Sequence, residues 1–152
     1  MQVEKRMIAL GIGLLPFLAG YMLETLALAQ PDAMLPYKLI ALICLLLWAL
    51  AGWALCGKAP ISKVSAAVHG PAFLVLALLI CQELISGHYW HNALGILTQL
   101  YYLPVLALTH MLTAWTHVLW PAYMSAFLLM YAAFYAGGCW RKRRQKGAAA
   151  KA

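Results

Sequence analysis

Charge is what this chain has least of. Only 10% of its 152 residues are Asp, Glu, Lys or Arg, and four of them are acidic, whereas an average soluble domain is about 25% charged. With 65% hydrophobic residues and a mean hydropathy of +0.80, a water-soluble fold would lack polar residues to cover its surface. Lipid resolves the mismatch, and the length leaves no room for a separate soluble domain. Chemical motifs are missing too. Cys44, Cys56, Cys81 and Cys139 form no C-x-x-C pair and read as small apolar residues. No H-E-x-x-H occurs, no G-x-S-x-G surrounds Ser62, Ser65, Ser86 or Ser125, and there is no nucleotide-binding glycine loop or internal repeat. Nothing supports a hydrolase, a redox pair or a bound cofactor, so the chain is expected not to be an enzyme.

What is present is a series of long apolar runs. Spans are expected at about 7–29, 39–56, 64–86 and 119–139, each long enough at about 1.5 Å per residue for most or all of a ~30 Å hydrocarbon core. Pro16 is expected to kink the first, Gly70-Pro71 to mark the membrane entry of the third, and Gly137-Gly138 to end the last. Gly11, Gly13, Gly20 and Gly52 would let helices approach closely, although no two of them make G-x-x-x-G. Lys5-Arg6 and Ala27-Leu28-Ala29 resemble a signal peptide's basic region and cleavage site. The uncharged stretch 7–23 exceeds the usual ~7–15 residues, however, so the segment is expected to be retained.

Between the third and fourth spans lies an apolar stretch with Pro104 at its middle. Charge decides its reading. With four spans and the N-terminus inside, Lys5, Arg6, Lys58, Lys63 and six residues of the tail share one side and Lys38 has the other, ten to one. Five spans give seven to four in the better orientation. The positive-inside rule therefore favours four. The fold expected is an all-α, integral membrane four-helix bundle over 1–140, with a broken interfacial or re-entrant segment at about 88–112 and a basic cytoplasmic tail at 141–152. Inside that segment two half-helices are expected, about 92–100 and 105–112. Trp90, Trp115 and Trp120 would mark one interface and Trp53 and Trp140 the other.

The net charge of +7 sits mostly in the tail. Arg141, Lys142, Arg143, Arg144 and Lys146 are expected to contact anionic lipid headgroups, and a nucleic-acid partner is not expected. Glu24 and Glu83 are the acidic residues within spans, and intramembrane carboxylates are functional candidates by default. Together with Gln82, Gln99, His88 and His91 they frame an expected outer mouth for a substrate or ion. Glu83, His88 and His91 have residue types that ligate metals, but at a loose spacing that leaves any metal unspecified. His69 is expected to line the start of the third helix. The reading favoured is a multi-pass protein of a prokaryotic plasma (inner) membrane with both termini cytoplasmic. It would be a non-enzymatic accessory or scaffolding module that assembles with itself or a larger membrane protein. A small transporter or ion-conducting protein using Glu24 and Glu83 is the alternative, and a metal-dependent membrane enzyme is the second.

Overall fold

The computed structural model describes residues 3–32, 34–57 and 59–149, with the side chains of 3–6 and 149 left aside. Lys58, Lys151 and the side chains of Lys5 and Arg6, counted in the charge balance, fall outside what is described. The described chain is all helical: α1 (Val3–Ala29), α2 (Tyr37–Leu55), α3 (Ile61–Ser86), α4 (Ala93–Leu112) and α5 (Trp120–Ala149). All five are long and apolar enough to cross a membrane.

Two expectations about helix ends are corrected. The stretch around Pro104 is not two half-helices but the single helix α4. Proline removes one N–H and frees the carbonyl four residues earlier, here that of Leu100. That carbonyl lies against Gly20 of α1, so closely that a Cβ on Gly20 has no room. A Cα–H···O contact of this kind partly compensates the lost bond, and the helix continues. Likewise Gly137-Gly138 do not end the last helix, which runs on through the basic residues to Ala149. Their role is close approach. The carbonyl of Ala49 occupies the Cβ position of Gly137, the carbonyl of Phe134 occupies that of Gly52, and Cys56 abuts Gly138.

These contacts run in step, Trp48 and Gly52 with Phe134 and Cys56 with Gly138, so α2 and α5 are parallel and pressed backbone to backbone. Gly13 meets the Val68 carbonyl in the same way and joins α1 to α3. Of the four glycines singled out in the sequence, Gly13, Gly20 and Gly52 sit at helix contacts, and Gly11 faces open space. The core between the helices includes Val68, Leu79, Tyr101, Tyr102, Ala126 and Phe134, all fully buried or nearly so. Tyr101 donates to the Gly13 carbonyl at 2.7 Å and Tyr102 to that of Ala72 at 2.6 Å. Both hydroxyls reach past their own helix to tie α4 to α1 and α3.

Because α2 and α5 meet through backbone, Gly137→Leu should destabilise the protein by about 1–3 kcal/mol or more. Gly11→Leu, in open space, should leave the thermal midpoint in detergent unchanged. Equal midpoints for the two variants would contradict this packing.

Candidate functional site

The end of the bundle where α3 terminates is organised by two adjacent residues, Gln82 and Glu83. Gln82 is fully buried. Its Nε2 donates to Thr98 Oγ1 of α4 at 3.2 Å, and its Oε1 accepts from the Trp90 backbone N–H at 3.0 Å. Glu83 is half-buried. Its Oε1 accepts from the backbone N–H of Leu119 at 2.7 Å, and its Oε2 accepts from the Tyr89 hydroxyl. Leu119 immediately precedes α5, so Glu83 satisfies an N–H at that helix start and sets a negative charge at the positive end of its dipole. Gly87, with φ of +70°, turns the chain out of α3, and Asn92 caps α4 by accepting from Gly95 N–H at 2.9 Å.

The remaining candidates lie elsewhere around this end. Gln99 is half-buried and donates to the Gly95 carbonyl of its own helix at 3.2 Å. At this end the side-chain bond between α3 and α4 is made by Gln82, not Gln99. His88 is exposed and donates from Nδ1 to the Ser86 carbonyl at 2.7 Å, and His91 is exposed as well. Glu24 is exposed on α1, with no hydrogen bond to Glu83 among the described residues. No group of three His, Cys, Asp or Glu side chains placed to hold a metal ion occurs among the described residues.

Two further features were not legible as sites in the sequence. The first is buried His69, 3% exposed. Its Nδ1 donates to the Ser65 carbonyl at 3.0 Å, and its Nε2 accepts from the Trp48 indole N–H at 3.1 Å. The indole can only donate, so His69 is neutral with its proton on Nδ1. Phe127, Tyr131 and Phe134 of α5 surround the ring edge to face. The clue available in the sequence was that a Trp and a His, each with a polar ring atom, both fall within apolar runs where such atoms need partners. The second feature is an apolar cavity of about 170 Å³ between α1 and α2. Its walls are Ile12, Leu15, Pro16 and Ala19 on one side and Cys44, Leu47, Trp48 and Ala51 on the other. Tyr101, Pro104, Val105 and Met130 form its floor.

The opposite end is closed by Arg141. Its Nη1 donates to the carbonyls of Trp53, at 2.8 Å, and Ala54 in the last turn of α2. The guanidinium also lies 5.4 Å from the Trp53 ring centre, and that of Arg144 lies 5.0 Å from Trp140. Lys142 is half-buried, and Arg143 and Lys146 are exposed. No known protein family, curated protein or solved structure matches the chain.

Removing the Glu83 carboxylate leaves the Leu119 N–H and the Tyr89 hydroxyl without their acceptor. Glu83→Ala should cost about 1–3 kcal/mol, and Glu83→Gln, which keeps one acceptor, should cost less, as read by thermal unfolding. Burial, then the hydrogen bond to Glu83, holds the Tyr89 hydroxyl protonated well above the usual phenol range. A proton held more tightly in the folded state stabilises below the unfolded pKa of about 10, and that stability is lost as pH rises beyond it. The stability advantage of wild type over Tyr89→Phe should therefore shrink above pH about 10. An advantage constant from pH 8 to 11 would contradict a hydroxyl held protonated by burial and by Glu83.

Proposed function

We propose that the chain is a non-enzymatic membrane module of four crossing helices, α1, α2, α3 and α5, with α4 as a re-entrant segment that dips in from the Glu83 end and returns there. The layout is supported by the bond between Glu83 and Leu119 N–H, which brings the start of α5 to the end of α3. Residues 113–119 follow α4, and at no more than about 3.6 Å each they reach at most about 25 Å. A turn bond from Thr116 N–H to the Thr113 carbonyl shortens that reach further. This is less than the ~30 Å hydrocarbon core, so a chain returning to Glu83 leaves no length for α4 to end at the opposite interface.

The charge distribution then falls into place. The start of α1 and the exposed tail residues Arg143, Arg144 and Lys146 lie at the Arg141 end, which the positive-inside rule assigns to the cytoplasm of a prokaryotic cell. There Lys142, Arg143, Arg144 and Lys146 rest on anionic headgroups.

The observation that carries the functional reading is how the polar side chains at depth are used. Gln82, Glu83, Thr98, Tyr101, Tyr102, Trp48 and His69 each bond within the chain. Among the described buried side-chain atoms only Ser65 Oγ has no partner. Groups committed to holding helices together do not line a path for an ion, and the surfaces left for interaction are the lipid-facing helix faces. An accessory subunit or self-assembling scaffold fits that distribution.

Two measurements test the proposal. In a cysteine-free background, Ser62→Cys and Gln145→Cys should both be protected from an impermeant thiol reagent added to intact cells. Labelling of one and not the other indicates an odd number of crossings and overturns the layout. Purified in mild detergent, the protein should run as a homo-oligomer or with a stoichiometric membrane partner, and its liposomes should pass no more protons or metal cations than empty ones. A stable monomer whose flux falls in Glu83→Gln would replace the module with a transporter.

A further inference from the structure

The arrangement of α1 leaves a feature that the scaffold reading does not use. α1 packs against α3 and α4, and α2 packs against α5 and α4. Among the described residues these two consecutive helices make little direct contact. α4 sits between them like a wedge, with Tyr101, Pro104 and Val105 at its edge. The cavity of about 170 Å³ is the space it leaves. The rim residues Leu15 and Leu47 are 51% and 57% exposed, so the cavity is a cleft open to the side within the span, where a bilayer offers only hydrocarbon. An apolar protein cavity of about 150 Å³ is enough to hold a benzene ring, and a cleft of this size takes several methylenes of one chain. Walls on two sides and a floor hold that segment more closely than a flat helix face does, and an empty cleft would forfeit the dispersion contacts of its lining.

The cleft is not centred between the two ends. Along α2 its lining begins at Cys44, seven residues or about 10 Å from Tyr37, and ends at Ala51, four residues or about 6 Å from Leu55. A chain entering from the Arg141 end therefore has the shorter descent. At that end Arg141 is bonded to the last turn of α2, and α5 continues from it through Lys142, Arg143 and Arg144.

We propose that this cleft binds one acyl chain of an anionic phospholipid from the leaflet at the Arg141 end, its headgroup held by the basic residues that follow Trp140. The choice of leaflet and headgroup rests on the four-crossing reading above. The acyl chain is the ligand class, and the bilayer itself is its source.

The test uses the full chain reconstituted in vesicles of phosphatidylcholine and phosphatidylglycerol. The probe is a phosphatidylglycerol with a photoactivatable diazirine at the end of one acyl chain, and its adducts are mapped by peptide mass spectrometry. Leu74 and Leu128, exposed on α3 and α5, serve as lipid-facing references. Cleft residues Leu15, Leu47, Ala51 and Met130 should be labelled roughly fivefold more than these references, because a held chain dwells where a passing one does not. Ala51→Phe and Ala19→Phe fill the cleft from opposite walls. Each should remove that excess and leave the references unchanged, and two variants guard against one that fails to fold. Even labelling of cleft and reference residues, or an excess that survives both fillings, would overturn the proposal. An excess equal for the phosphatidylcholine version of the probe would overturn the anionic headgroup. The thiol-labelling result at 62 and 145 is independent of these adducts, so a wrong layout and an empty cleft are distinguishable.

Discussion

In hydrocarbon a polar group has no water to turn to, so every one that enters must be met by another from the same chain. Gln82 and Glu83 meet this constraint for three other segments at once. The Gln82 amide spends its acceptor on the connecting loop at Trp90 and a donor on α4 at Thr98. The Glu83 carboxylate spends one oxygen on the loop at Tyr89 and the other on the start of α5. Successive residues of a helix point about 100° apart, and this divergence lets neighbours in sequence serve different elements. α3 thereby fixes where α4 enters and where α5 begins.

Away from that end the helices are held by backbone approach. With apolar side chains as content in lipid as in protein, helix association depends on packing and on polar bonds. The carbonyls of Ala49, Phe134, Val68 and Leu100 each lie where a glycine on the facing helix has no side chain. The α2–α5 pair has two such sites in register and Arg141 besides. α1 has one with α3 and one with α4 and none with α2. The unequal distribution of glycines explains why α2 and α5 close on each other while α1 stands off from α2 and leaves a cleft.

The helical, membrane-compatible character of the chain was legible because composition and run length report it directly. Pro104 and Gly137-Gly138 misled for a shared reason. Both are breakers when a helix is considered alone, yet each sits where a neighbouring helix needs its peculiarity: a freed carbonyl against Gly20 in one case, a missing Cβ under Ala49 in the other. Such pairings are tertiary, and no local pattern announces them. Gln82 and Glu83 stood out in sequence as polar residues within an apolar run. Their partners did not, because Trp90 and Leu119 contribute backbone N–H groups that every residue possesses. The Trp48–His69 bond joins residues on different helices, and spacing within either run carries no trace of it.

The two charged residues that close the bundle's ends differ in sign for a physical reason. Glu83 meets the N–H of Leu119 at the start of α5, where the helix dipole is positive, and Arg141 meets the carbonyls of Trp53 and Ala54 in the last turn of α2, where it is negative. α5 takes part in both, receiving a carboxylate at its start and sending a guanidinium from near its end. A helix fastened at its start and again at Arg141, and pressed between them against α2, has its register set at three places. Exchanging the two signs would set each charge against a like dipole. Glu24 shows the contrast. It has the same side chain on a neighbouring helix, five residues or about 7–8 Å from the end of α1, yet it is exposed, with no side-chain hydrogen bond to a helix start among the described residues. At that depth a carboxylate can still reach water at the headgroups. Glu83 differs because α5 begins beside it.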